Sequence, residues 1–154
     1  MNRALTLNRW LATWFGCGLA PKAPGTVGTL GAIPLFLVFA KLESLHYMVA
    51  VLAFTVLAIL VAHFFEIGDD HDRPEFVMDE VAGFLVTMTW VPATPLGIFA
   101  GFVVFRVLDI WKPFPISWAD RKIPGGVGTV ADDLIAGILG NIILQLLLQN
   151  GVRL

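Results

Sequence analysis

The chain has 154 residues, of which 57% are apolar and only 14% charged, and its net charge at neutral pH is −2. With a mean hydropathy of +0.80 it has too few polar side chains to cover a water-soluble globule, so the composition predicts an integral membrane protein. The length predicts a single domain over residues 1–154, no basic block indicates a nucleic-acid partner, and the single cysteine excludes an intrachain disulfide.

The first 29 residues divide into two parts. Residues 1–20 place apolar and aromatic side chains beside Arg3 and Arg9, a pattern typical of a helix that lies in the membrane interface. Residues 21–29 contain two prolines and two glycines, and we expect them to form a loop rather than continue a helix.

Two apolar segments follow this loop. Residues 30–40, counted from Val27, make about 21 Å of helix, which is short of a hydrocarbon core of roughly 30 Å. This segment therefore either spans the membrane with a tilt or with the help of neighbouring helices, or is partly re-entrant. Residues 47–65 contain one polar ring, His63, and make about 28 Å of helix, which predicts a transmembrane span.

Residues 66–80 are an acidic stretch that holds seven of the chain's twelve carboxylates between apolar segments. Ionisable groups beside hydrocarbon are costly, so the stretch indicates a functional site. Pro74 is suited to be the first residue of a helix that runs to about Val91. Prolines break the chain at 91–95, and residues 96–108 form the returning limb of a short transmembrane hairpin.

The last part of the chain is predicted to be a polar loop, residues 109–129, and a helix, residues 130–149. The small residues Ala136, Gly137 and Gly140 allow another helix to pack closely against this one. Further along the same helix, Asn141 and Gln145 offer hydrogen bonds to a neighbouring helix.

Together these elements predict an all-α fold. It is an integral membrane helical bundle of about four to five short transmembrane or re-entrant helices with an interfacial N-terminal helix. A cytoplasmic N-terminus places residues 16–28, 66–75 and 109–130 on one side, with most of the lysines and arginines. The positive-inside rule makes that side cytoplasmic. The acidic stretch and both glycine-containing segments are then expected to meet at the inner leaflet.

Asp79 and Glu80 are the strongest candidates for a site, because they lead directly into apolar residues 81–88. Asp133 is a further candidate, because no capping pattern accounts for it and its i+4 neighbour, Gly137, leaves room for a ligand or a second helix. Carboxylates that lie close together repel one another unless they are protonated or bridged by a cation, and oxygen-only ligation suits Mg²⁺.

Two other carboxylates have competing structural explanations. Asp132 is the fourth residue of a capping-box pattern that begins at Thr129. Asp109 lies at helical spacing from Arg106 and Lys112, so a structural salt bridge is as reasonable as a catalytic role.

Two hexapeptides repeat one pattern, PGTVGT at 24–29 and PGGVGT at 124–129, and each has a lysine two positions before its proline. Glycines let backbone N–H groups approach an anion, and a helix N-terminus adds a favourable dipole. Such segments are also ordinary helix starts, so a phosphate site and a purely structural role both remain open.

The chain resembles the phosphatidylglycerophosphatase A family in four segments that cover nearly its whole length. These are FGCGLAPKAPGT at 15–26, VMDEVAG at 77–83, FRVLDIWKPFPI at 105–116 and GGVGTVADDLIAG at 125–137. The resemblance implies a lipid phosphatase that hydrolyses the terminal phosphate of phosphatidylglycerophosphate. The reaction would be Mg²⁺-dependent, would give phosphatidylglycerol and phosphate, and would take place at the inner leaflet of the bacterial cytoplasmic membrane.

Residue roles follow from this resemblance and from the charge pattern. Catalysis is assigned to Asp79, Glu80 and Asp133. The metal set is Asp79, Glu80, Asp109, Asp132 and Asp133, and the substrate phosphate is assigned to Lys22, Thr26, Arg106 and Lys112. A phosphoaspartate intermediate is less favoured than direct attack by water.

Two other classes of function also fit membrane-embedded acids. A small cation transporter or channel would distribute its acids through the depth of the helices, whereas here they are predicted to gather at one face. A non-catalytic assembly subunit would use the same cluster to bind a partner. Oligomeric state is not predicted by the sequence.

Overall fold

The computed structural model describes residues 3–65 and 74–154, with side chains from residue 7 onward in those ranges. They form seven α-helices and one 3-10 turn, and neither range contains a strand, so the all-α prediction is confirmed. The helices are α1 (Arg3–Ala12), α2 (Pro24–Phe39), α3 (Ser44–Phe65), α4 (Met78–Thr87), α5 (Pro95–Trp111), α6 (Ile116–Lys122) and α7 (Gly125–Gln149), and the 3-10 turn is Cys17–Leu19.

Two helices are long and apolar enough to cross a membrane. They are α3, with 22 residues, and α7, with 25 residues, or about 33 and 37 Å of helix. Large apolar side chains on the outer face of α3, such as Leu52 and Val56, are exposed on the protein surface, as expected where lipid replaces water. The bundle prediction therefore agrees with the structure.

The centre of the bundle is α4, whose residues are buried along most of its length. It packs most extensively against α7, and small residues make this possible. A Cβ added at Gly137 would lie 2.5 Å from the carbonyl oxygen of Gly83. At the far end of the same contact, the Asn141 side chain donates to the carbonyls of Thr87 and Thr89. The predicted close packing and interhelical hydrogen bonds are thus confirmed, and the second helix, not a ligand, fills the space at Gly137.

The start of α4 differs from the sequence prediction. The helix begins at Met78, not at Pro74, and ends at Thr87, before the predicted Val91. Tertiary contacts hold the preceding residues outside the helix, because Val77 N donates to Ala12 O and the Glu75 carbonyl fits against Gly18. Asp79 and Glu80 consequently lie in the first turn of the helix, whereas a helix that began at Pro74 would have placed them in its second turn.

Both glycine-containing hexapeptides form the first turns of helices, so the prediction of loops at 21–29 and 109–129 is partly wrong. Helix α2 starts at Pro24, where a missing N–H costs nothing, and α7 starts at Gly125, with Pro124 as its N-cap. The capping box from Thr129 to Asp132 is therefore not formed. Within the second predicted loop, α6 adds a further short helix.

The N-terminal helix is shorter than predicted and ends at Ala12. Residues Trp14, Phe15 and Gly16 adopt left-handed backbone conformations, which stops the helix. Trp14 packs against α2 and α3, because its indole donates to the carbonyl of Gly31 and its ring lies edge-on to Phe54.

Candidate active site

A polar cavity of about 760 Å³ lies at one end of the bundle, where α2, α4 and α7 begin and α3 and α5 end. Helix α6 forms a further part of its wall. The ionisable residues that line the cavity are Asp79, Glu80, Arg106, Asp109, Lys112, Asp120, Arg121, Lys122, Asp132 and Asp133. Five of the predicted carboxylates and two of the predicted cations therefore meet in one space.

Three carboxylates form the centre of this cavity. One oxygen each from Asp79, Glu80 and Asp133 lies within 4.8 Å of the others. Asp79 and Glu80 are neighbours in the first turn of α4, where the Glu80 N–H donates to Asp79 Oδ1 at 2.9 Å. Asp133 comes from α7 and is almost fully buried. Helix packing thus brings together side chains that are more than fifty residues apart in the chain.

Glycines on two helices allow the carboxylates to approach. A Cβ at Gly83 would lie 2.6 Å from the carbonyl oxygen of Asp133, so only glycine lets α7 pack this closely against α4. A Cβ at Gly25 would overlap Glu80 Oε1 directly. The first hexapeptide therefore contributes to the site by leaving space for a carboxylate. This contribution is independent of any anion binding by its backbone N–H groups.

Arg106 lies between two acids and is mostly shielded from solvent, with 13% of its side chain exposed. Its Nη1 is 2.5 Å from Asp109 Oδ2, one turn further along α5, and 3.8 Å from Glu80 Oε1. The Asp109 contact is close in distance but does not have hydrogen-bond geometry, so it is an ion pair only. The arginine thus offsets part of the negative charge at the edge of the carboxylate group.

Lys112 caps the end of α5 and adopts a left-handed backbone conformation, with φ 45°. Its ammonium donates to Asp120 Oδ1 at 2.5 Å and to Asp132 Oδ2 at 2.7 Å. Burial alone would lower the pKa of Lys112, but the hydrogen bonds and charges of these two carboxylates raise the pKa above its ordinary value. The side chain is therefore a permanent cation at neutral pH.

The donor set fits a hard divalent cation. Within the described ranges, Glu80 Oε2 and Arg106 Nε are buried without a hydrogen-bond partner, which is costly unless a ligand completes them. Three carboxylates that converge on one point, one of them with an unpartnered oxygen, match the oxygen-only coordination that Mg²⁺ prefers. Asp79, Glu80 and Asp133 are thus the residues that could hold a metal.

Two predicted phosphate ligands, Lys22 and Thr26, are not among the residues that line the cavity. Lys22 is exposed before α2, and Thr26 is half-buried in its first turn, whereas Pro24 and Gly25 between them form the wall. The acids at 66–72 lie outside the described residues. The sequence analysis missed three charged lining residues, Asp120, Arg121 and Lys122, although a charged run directly before the second hexapeptide could have indicated them.

Comparison with known proteins adds the family context. The sequence model of the family described as Phosphatidylglycerophosphatase A matches residues 10–148. A Phosphatidylglycerophosphatase A of Escherichia coli is 38% identical over 144 residues, which cover 90% of this chain and 83% of that protein. A protein of the same name from Haemophilus influenzae is 36% identical, with 87% and 84% covered.

A third relative, from Bacteroides thetaiotaomicron, carries a different and provisional name, phosphatidylinositol-3-phosphatase. It is 32% identical over 152 residues, which cover 94% of this chain and 95% of that protein. No solved structure matches the chain.

Proposed function

The chain belongs to the phosphatidylglycerophosphatase A family, and we propose that it hydrolyses the terminal phosphomonoester of phosphatidylglycerophosphate to phosphatidylglycerol and phosphate. The reaction is proposed to need Mg²⁺ and to occur at the inner leaflet of the bacterial cytoplasmic membrane. The observation that carries the proposal is the convergence of Asp79, Glu80 and Asp133 on one point in a cavity that also contains Arg106 and Lys112.

Magnesium is proposed to bind to Asp79, Glu80 and Asp133, and the unpartnered oxygen of Glu80 supports this assignment. When bound, the ion would act as a Lewis acid toward the phosphoryl oxygens. Asp109 and Asp132 were also predicted to be metal ligands, but each is paired with a cation, Arg106 or Lys112 respectively. We therefore propose that these two acids position the cations beside the three carboxylates of Asp79, Glu80 and Asp133.

The substrate brings a phosphomonoester that carries up to two negative charges. Arg106 offers an unpartnered Nε donor, and Lys112 offers a charged ammonium. The two cations are proposed to hold the phosphoryl oxygens while the chain's carboxylates face the attacking water. Lys22 and Thr26 are close in sequence to Pro24 and Gly25, which form part of the cavity wall. We propose that they contact the phosphate from outside the cavity.

The chemical step is proposed as in-line attack of water on phosphorus. A bond forms between the water oxygen and phosphorus, and the bond between phosphorus and the glycerol oxygen breaks. One of the three carboxylates accepts the proton of the water, and that proton is returned to the glycerol oxygen as it leaves.

The test is phosphate release by the purified protein in lipid–detergent micelles, with Mg²⁺ or with a chelator. Three diacyl substrates are compared: phosphatidylglycerophosphate, phosphatidylinositol 3-phosphate, because of the Bacteroides relative, and phosphatidic acid. We expect Mg²⁺-dependent hydrolysis with a preference for the first. A preference for phosphatidylinositol 3-phosphate, or full activity with chelator, would contradict the proposal.

Site variants complete the test. Asp79→Asn and Asp133→Asn should each lose activity at least about 100-fold, as expected when a metal ligand is removed. The matched control is Glu43→Gln, because Glu43 is 89% exposed and lies in the turn before α3, at the opposite end of the bundle. Folded site variants that retain the activity of this control would exclude the assigned carboxylates.

A further inference from the structure

An apolar groove runs along the outer face of α5, directly beside the polar cavity. Its volume is about 390 Å³, and it is lined by α5 alone: Phe102, Val103, Arg106, Val107, Ile110 and Trp111. These positions repeat at helical spacing and so form one continuous face.

The groove is open on the protein surface. Ile110 and Trp111 are 69% and 78% exposed, and Val107 is 52% exposed. The opposite face of α5 is different in character, since Phe105 and Asp109 are buried toward the bundle. One helix thus separates an apolar outer surface from the charged interior.

Arg106 is shared by the groove and the cavity. Its Nη1 pairs with Asp109 and Glu80 on the cavity side, while its Nε is buried without a hydrogen-bond partner in the described ranges. The groove presents only apolar atoms, so Arg106 contributes its methylene stem to the groove, while its guanidinium pairs with acids on the cavity side. A side chain divided in this way at the junction of a polar and an apolar surface is suited to an anionic group that also carries hydrocarbon.

We propose that this groove binds an acyl chain of the phospholipid substrate, with Arg106 at the point where the headgroup enters the cavity. The inference rests on the proposed function, because it requires the substrate to be a lipid phosphomonoester. An anionic headgroup bound in the cavity leaves its hydrocarbon tail at the adjoining apolar surface, which is continuous with the cavity at Arg106. The enzyme would then distinguish diacyl substrates from water-soluble phosphomonoesters that have the same headgroup.

The first experiment measures steady-state kinetics for the double variant Val107→Ser/Ile110→Ser. Two phosphomonoesters are compared, the dioctanoyl lipid that the unmodified protein hydrolyses fastest and its deacylated, water-soluble headgroup. We expect KM for the lipid to rise about tenfold, because several methylene groups of its acyl chain lose an apolar contact. The value of kcat/KM for the deacylated compound should not change, because that compound has no acyl chain.

The matched control is Leu52→Ser/Val56→Ser on α3, where the two side chains are 65% and 49% exposed on another lipid-facing surface. An equal rise in KM in the control would show that α5 is only one part of a general lipid surface and would overturn the proposal. So would an unchanged KM in the α5 variant.

A second experiment separates this inference from the proposed activity. A phosphatidic acid with a photoactivatable acyl chain is cross-linked to the full-length protein, and the labelled peptides are identified by mass spectrometry. Labelling of residues 102–111 that dioctanoyl phosphatidic acid displaces, and dioctanoyl phosphatidylcholine does not, supports the groove even if phosphatidylglycerophosphate is not the substrate. Labelling of α3 and α5 alike, without such displacement, overturns it.

Discussion

Lys112 Nζ lies 2.7 Å from Asp132 Oδ2, so the C-terminal cap of α5 is tied to the third turn of α7. The same ammonium contacts Asp120 on α6, and a single cation therefore fixes three helices around the cavity. The left-handed backbone at Lys112 costs on the order of 1 kcal/mol for a residue with a Cβ, and the two charged contacts offset this cost. Lys112 is thus a residue that both shapes the site and contributes charge to it.

Replacement of Lys112 by asparagine should keep the left-handed conformation but remove the charge. We expect KM for the lipid phosphate to rise at least about tenfold, because Asp132 loses its partner and the cavity loses a cation. Lys112→Arg is the control that restores charge, and it should recover most of the binding. Equal KM values for Lys112→Asn and the unmodified protein would contradict the assignment.

The raised pKa of Lys112 also predicts a pH dependence. A cation whose folded-state pKa is raised contributes stability that is complete below its unfolded value, about 10.4, and is lost only as pH rises through the higher folded value. Lys112 should therefore cause no change in activity or stability between about pH 6 and 9. The check is the pH profile of kcat/KM for Lys112→Arg, which should coincide with that of the unmodified protein over this range.

Metal binding by the three carboxylates should be visible as stability. We expect Mg²⁺ to raise the melting temperature of the unmodified protein, because a ligand that binds only the folded state stabilises it. The double variant Asp79→Asn/Asp133→Asn should melt no lower than the unmodified protein in chelator, since two neighbouring like charges are removed, and should not respond to Mg²⁺. Glu43→Gln should respond normally, and a Mg²⁺ response that persists in the double variant would place the ion elsewhere.

Gly25 should be intolerant of a side chain because of Glu80. In Gly25→Ala the new methyl group would overlap Glu80 Oε1, and we expect activity to fall at least about tenfold as the carboxylate is displaced. Adding Glu80→Asp shortens the acid by one methylene and relieves the overlap. A double-mutant cycle of activity should therefore show coupling between the two positions, whereas strictly additive losses would argue against direct contact.

The interhelical hydrogen bonds at the far end of the bundle should support stability rather than chemistry. Asn141 donates to Thr87 O and Thr89 O, and Asn141→Leu should lower the free energy of unfolding by about 1–2 kcal/mol. Gln149→Leu, an exposed change at the end of the same helix, is the control and should change it little. The measurement is denaturant or thermal unfolding in micelles, and per-molecule activity should be preserved in both variants.

Placement of the cavity at the inner leaflet predicts a labelling pattern. In a Cys17→Ser background, Lys122→Cys reports the cavity end and Glu43→Cys the opposite end. A membrane-impermeant thiol reagent added to intact spheroplasts should label Glu43→Cys, and should label Lys122→Cys only after permeabilisation. The reverse pattern would place the cavity on the outer face.

Much of the fold follows from local patterns in the sequence. The apolar run at 47–65 predicted α3 within a few residues, and the prolines at 92 and 95 predicted the turn before α5. Ala136, Gly137 and Gly140 were correctly predicted to allow close helix packing. Helix starts were predicted less well, because Val77 and Gly126 are positioned by contacts with α1 and α3 that no local pattern encodes.

The sequence by itself determined the strongly apolar composition, the all-α class, the family and the identity of the ionisable residues, since these depend on composition and on short motifs. Only the tertiary structure decided which of the acids share one point. Asp79 and Glu80 meet Asp133 because Gly83 and Gly137 let α4 and α7 pack in contact, while Asp109 and Asp132 are drawn to Arg106 and Lys112. The physical reason is that electrostatic interaction depends on distance in space, and that distance is fixed by helix packing between residues far apart in the chain.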